Sequence, residues 1–256
     1  MKREYKLWPL IGVSLIAIVI SILLIFLNDA VGHNPVSNLI FTFLSTLVTI
    51  STNYMIAYGL INNRMGDLKD YLHNIKYITF KTMGVFLLLE LIEAVIAFFA
   101  DSDNTLEFLY RMFSESSLLN GVGLLVYLLI LILFLIFKIF TNYRFFVVAH
   151  RDDLPFTQLI GKIFKTGKDL TSKTIKIFMI YIFLPAVFIG LFFLPNILST
   201  TVLDVGGVPL LSLIIVIAAG IWGLIITIKY SDIYLDYIGD ESTGVKEEIL
   251  PKEEKV

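Results

Sequence analysis

The stretch from Trp8 to Leu27 reads WPLIGVSLIAIVISILLIFL, without a single charge. At 1.5 Å per residue a helix of this length covers about 30 Å, the thickness of a bilayer's hydrocarbon core. Lys2, Arg3 and Lys6 precede it, as in a signal peptide. The run is too long for a typical h-region, however, and Leu27-Asn28-Asp29 is no small-residue cleavage site, so it reads as a retained span. The rest of the chain repeats the pattern. Of 256 residues, 57% are hydrophobic and 16% charged, against roughly a quarter charged in soluble domains. The mean hydropathy is +0.84. A soluble interior of this size cannot hide that much apolar surface. The composition excludes a water-soluble enzyme, a secreted disulfide scaffold and a disordered chain, and predicts an all-α polytopic membrane bundle.

Six spans are expected, at about 8–27, 36–60, 79–100, 118–140, 175–198 and 208–228. The second carries Ser37, Thr42, Ser45, Thr46, Thr49, Ser51 and Thr52, with Asn53 inside it. Small hydroxyl residues permit close helix contact in lipid, which predicts a central position for this helix. Pro185 and Pro195 interrupt the fifth, and Gly220 and Gly223 mark a close approach on the sixth. Lys and Arg fall in alternate connections, with Arg111 the one exception. The positive-inside rule then places both termini in the cytoplasm of a bacterial-type cell membrane.

The connection 101–117 is acidic, with Asp101, Asp103, Glu107 and Glu115, and reads as a short amphipathic segment at the outer surface. The segment from about 153 to 172 reads as a cytoplasmic interfacial helix. Asp153 is its expected cap and Pro155 lies in its first turn. Phe156, Leu159, Ile160, Ile163 and Phe164 recur at helical spacing, while Lys162, Lys165 and Lys168 face the headgroups of anionic lipid. The alternative is an ordinary connecting helix whose lysines snorkel. Asp67-Leu68 before span three and Asp153-Leu154 before span five suggest a repeated "span, amphipathic helix, span" unit, by pattern and not by identity. From Asp240 the chain is charged and poor in aromatics, as in a disordered tail over 240–256.

Glu90 and Glu93 lie one turn apart in an apolar span. If the span enters near Thr79, Glu90 sits about 16 Å in. Such carboxylates must face the bundle interior, face water or be protonated. They serve as a cation or proton relay, as a docking site for a basic partner group, or as a structural pair bonded to polar residues such as Asn53, Tyr54 or Thr52. No Lys or Arg is expected at matching depth, and Lys138 is expected to snorkel. Tyr230, Tyr234 and Tyr237 form a stripe where span six leaves the membrane, read as an aromatic anchor, with Asp232 and Asp236 beside it. Cysteine is absent, and His33, His73 and His150 lie in three connections, so no metal or cofactor site is expected. GxxxxGK[ST], GxSxG, HExxH and TVGYG do not occur, and no basic-aromatic surface suggests nucleic acid.

Three stretches taken together carry a resemblance: Tyr143-Arg144-Phe145 leading to Asp152-Asp153-Leu154-Pro155, the Lys-rich helix ending at Lys176-Ile177-Phe178, and the exit from Tyr230 to Tyr237. The order resembles a broad group of bacterial six-span membrane proteins of undetermined role, related to the membrane domain of some glycerophosphodiester phosphodiesterases. Ile163-Phe164-Lys165-Thr166-Gly167-Lys168 stands where that group has small and basic residues. The resemblance implies fold and topology, not the phosphodiesterase reaction, whose domain this sequence does not contain. The expected function is therefore non-enzymatic: an accessory or membrane subunit of a transport, export or lipid-associated system. Its partners would be the bilayer, anionic headgroups and a protein subunit. The rival is a stand-alone transporter of a small solute or cation through Glu90 and Glu93.

Overall fold

The computed structural model describes residues 3–32, 34–100, 119–185 and 208–249. The expected outer segment 101–117, His33, the latter part of span five and residues 250–256 lie outside them. The described residues form helices and no strand. Four segments are long and apolar enough to cross a membrane: Leu7–Val31, Pro35–Asn62, Phe80–Phe99 and Leu128–His150. The chain divides into two compact units. One comprises Met1–Ile75 with Ser172–Val256, and the other Lys76–Thr171.

The first unit is built on the hairpin of α1 (Leu7–Val31) and α2 (Pro35–Asn62). Its turn is tight. Gly32 adopts φ +87°, a region open mainly to glycine, and Asn34 caps α2 by accepting from the Ser37 backbone N–H at 2.8 Å. Near this end Asn28 donates to Asn38 across the helix pair at 3.0 Å. At the opposite end α3 (Leu68–His73) and a 3₁₀ turn (Asn74–Tyr77) fold back onto the hairpin. Two glycines let them approach. Leu68 packs on Gly12, and the Tyr71 ring fills the space that a side chain at Gly59 would occupy. The Asn74 amide closes the contact by donating to the Met55 carbonyl at 3.3 Å.

The same unit holds α8 (Thr171–Phe178), which continues into a π-helical turn (Met179–Phe183), and α9 (Val208–Ile249). The Trp222 indole donates to the Tyr181 carbonyl at 2.6 Å, securing a backbone group of the π turn. Helix α9 continues as one element through residues 240–249, the segment whose composition reads as a tail.

The second unit pairs α4 (Phe80–Ala100) with α5 (Leu119–Thr141). The chain then breaks at Thr141–Tyr143 into α6 (Arg144–His150) and, after a turn, α7 (Phe156–Asp169). Helix α7 packs on α4, α5 and α6. Leu159 and Ile163 are fully buried there. Gly167 lies directly on the Phe140 carbonyl, and Phe137 meets Phe164 edge-on at 6.0 Å. Protein thus covers the centre of the apolar face of α7, while Phe156 at its start and Lys165 and Lys168 stand exposed. Its start also differs from expectation. Pro155 occupies the cap position without a side-chain bond, and Asp153 turns to Arg151 at 3.4 Å. A proline at that position ends the preceding turn by its fixed φ, so no side-chain cap is needed to define the boundary.

Burial along α4 sets two zones. No residue from Lys81 through Glu90 is exposed, whereas Leu91, Ile92, Val95, Phe98 and Phe99 all are. Helices α6 and α7 wrap the first zone, with Phe86 on Phe145 at 4.6 Å and Lys81 donating to the carbonyls of Asp152 and Leu154. Apart from Phe80 at the start of the helix, the exposed large apolar side chains of α4 lie beyond Glu90.

Candidate functional site

At that boundary lies a cluster of four charges. The Arg144 guanidinium donates through Nη2 to Glu90 Oε1 at 2.5 Å and through Nη1 to Glu93 Oε2 at 3.2 Å. Lys138 donates to the other oxygen of Glu93. Glu93 and Arg144 side chains are 15% and 13% exposed, while Lys138 remains 46% exposed. The expectation that no cation lies at the depth of the glutamates is overturned. The chain carries on from α5 through the break at Thr141–Tyr143 into α6 alongside α4, so that Lys138 meets Glu93, Arg144 meets Glu90 and Phe145 meets Phe86. The glutamates face protein because the i, i+3 spacing puts both on the side that α5 and α6 cover.

The chemistry follows from the charge balance. Two carboxylates meet two cations, and the guanidinium's planar fork spans both acids in a way an ammonium cannot. The Arg144 charge also lies 5.2 Å from the Phe145 ring. Such a network resists loss of one member, since any remaining charge is left partly desolvated.

Asn53, the third candidate residue, lies in the other unit. With Thr49 and Thr52 of α2 and Ala17 and Ser21 of α1 it lines a groove of about 290 Å³. The threonines are satisfied locally: Thr49 donates to the Ser45 carbonyl at 3.0 Å and Thr52 to that of Val48 at 2.7 Å. Lys165 and Lys168 stand exposed on α7, and Lys162 is half-buried.

A second polar cluster lies where α1, α2, α3 and α9 converge, centred on Arg64, which the sequence does not single out. Arg64, 11% exposed, pairs with Asp232 at 2.7 Å, donates to Ser231 at 3.2 Å and covers the Tyr5 ring at 5.8 Å. Arg3 pairs with Asp236 at 2.6 Å, and Lys6 with Asp67 at 2.6 Å. Asp232 and Asp236 are thereby held in ion pairs, and Tyr234 between them is fully buried. The tyrosine stripe contributes to packing as well as to a boundary. Burial pushes the Tyr71 hydroxyl up to about 12, with the Arg64 charge acting in the opposite direction. Among the described residues no group of three or more His, Asp or Glu is placed to hold a metal ion.

One sequence pattern occurs twice, once in each unit. Thr52-Asn53-Tyr54 and Thr141-Asn142-Tyr143 are identical tripeptides. In each, the tyrosine is fully buried, and the threonine donates to the carbonyl four residues back, Val48 or Phe137. Each is followed by an arginine and then by Asp-Leu, at Arg64 with Asp67-Leu68 and at Arg151 with Asp153-Leu154.

No protein-family model, curated protein or solved structure matches this chain.

Proposed function

We propose that this chain is a non-enzymatic, multi-pass membrane protein acting as an accessory or membrane subunit of a transport, export or lipid-associated system. In this reading it crosses a bacterial-type cell membrane six times with both termini in the cytoplasm. The resemblance to six-span proteins related to the glycerophosphodiester phosphodiesterase membrane domain is consistent with that topology. The observation that supports a scaffold over a relay is the pairing of Glu90 and Glu93. Arg144 engages both acids and Lys138 engages one. A relay needs a carboxylate free to take up and release its cargo, and here both carboxylates are already engaged by the Arg144 guanidinium. The exposed Lys165 and Lys168 supply the second part of the reading, a basic face for anionic headgroups.

Co-purification from native membranes in mild detergent, followed by mass spectrometry, tests the proposal. A stoichiometric protein partner or retained anionic lipid is expected. The opposing result is solute or cation flux by the purified chain in liposomes that disappears in the Glu90→Gln/Glu93→Gln protein while the fold persists. That result would replace the scaffold with the transporter.

A further inference from the structure

The groove between α1 and α2 carries polar groups that have no hydrogen-bond partner among the described residues. Among the described residues, nothing hydrogen bonds to the Asn53 amide or the Ser21 hydroxyl. Asn53 and Thr49 are exposed, and Ile18 and Ile22 on the rim are 48% and 45% exposed. Both helices are long and apolar enough to cross a membrane. In hydrocarbon an uncovered amide has no water to bond, so it needs a polar partner at its own depth.

We propose that this groove is a homodimer interface, in which α1 and α2 of one copy pack on α1 and α2 of a second. Two copies inserted in the same direction and related by a twofold axis along the membrane normal hold each residue at the depth of its counterpart. Asn53 then faces Asn53 of the partner subunit. A primary amide both donates and accepts, so it pairs with itself. Lipid tails offer neither function. Ala17 and Ser21, one turn apart on α1, bring small side chains to the surface and permit close backbone approach. Ile18 and Ile22 flank the opening and fill the partner's groove in an isologous contact.

The absence of cysteine makes the test direct. Ile18→Cys introduces the sole thiol at an exposed position, and Ile16→Cys places a control thiol on another face of the same helix. Oxidation with copper-phenanthroline in native membranes is expected to give a disulfide-linked dimer for Ile18→Cys and none for Ile16→Cys. Adding Asn53→Ala to Ile18→Cys is expected to raise the dimer dissociation constant in liposomes roughly tenfold, the scale of interhelical hydrogen bonds in membranes. The proposal is overturned by equal cross-linking of the two single-cysteine proteins, by no cross-linking of Ile18→Cys, or by an Asn53→Ala dimer of unchanged affinity. A monomer that carries a bound phospholipid in native mass spectrometry would overturn it too, by assigning the groove to lipid.

Discussion

Arg144 and Glu93 are 51 residues apart in the chain and 3.2 Å apart in space. Their contact exists because α5 and α6 run in succession alongside α4. It joins the break after α5 to the boundary between the wrapped and the uncovered zones of α4.

Replacing Arg144 by Gln leaves two adjacent carboxylates with only Lys138 to face. The expected loss of stability is on the order of 3 kcal/mol, as for a partly buried ion pair deprived of one partner. Unfolding followed by tryptophan fluorescence in detergent measures it. Adding Glu90→Gln to Arg144→Gln should restore part of the loss, because the uncompensated charge is then removed. No restoration would mean that the guanidinium acts by packing alone.

Gly167→Ala and Gly161→Ala form a contrasting pair on α7. A methyl at Gly167 meets the Phe140 backbone, which cannot move aside. A methyl at Gly161 meets nothing within 4 Å. The first is expected to cost about 1–3 kcal/mol by overpacking, and the second to stabilise by up to about 1 kcal/mol through helix propensity. Melting temperatures of the two variants should move in opposite directions.

Alkaline pH should destabilise the first unit through Tyr71. Its hydroxyl is held neutral to about 12 when folded, against 10.0 ordinarily. The contribution is whole below pH 10 and is lost as pH rises from 10 to about 12, because the unfolded chain ionises first. Tyr71→Phe should flatten the stability profile in that window. At neutral pH the change should cost little, since the buried hydroxyl has no hydrogen-bond partner among the described residues. An unaltered alkaline profile in Tyr71→Phe would assign the loss to another group.

Arg64 and Arg3 reach neighbouring aspartates on α9 with different consequences. Arg64→Ala removes a nearly buried guanidinium from Asp232 and Ser231, and a loss of about 1.5–3 kcal/mol is expected. Arg3→Ala breaks a pair whose aspartate is 59% exposed, so a loss below about 1 kcal/mol that shrinks with added salt is expected. Chemical denaturation of both variants at low and high ionic strength separates the two.

The apolar spans were legible because a run such as Trp8–Leu27 admits few other readings, and the described residues are helical, with four membrane-length apolar segments against the six expected. Glu90 and Glu93 were legible as an anomaly. Their partners were not, because depth counted along one helix does not say which residues of a later helix lie against it. The amphipathic pattern of 156–164 gave the buried face of α7 but not its cover, since periodicity marks an apolar stripe without distinguishing lipid from protein. Arg64 was hidden for a related reason. Counted as one of several loop cations for orientation, it carries no mark of the Asp232 that meets it from the far end of the sequence.

The wrapping of α4 by α6 and α7 also imposes an order on biosynthesis. Glu90 is made 54 residues before Arg144. At ribosomal rates of about 5–20 residues per second, its countercharge arrives roughly 3–10 s later. During that interval α4 presents Glu90 and Glu93 without Arg144, Lys138 or the helices that cover its first turns. Until Arg144 emerges, the two acids have to be solvated by water or by other protein groups. A chain stopped between α4 and Arg144 displays two uncompensated acids, a mark that membrane proteases can read.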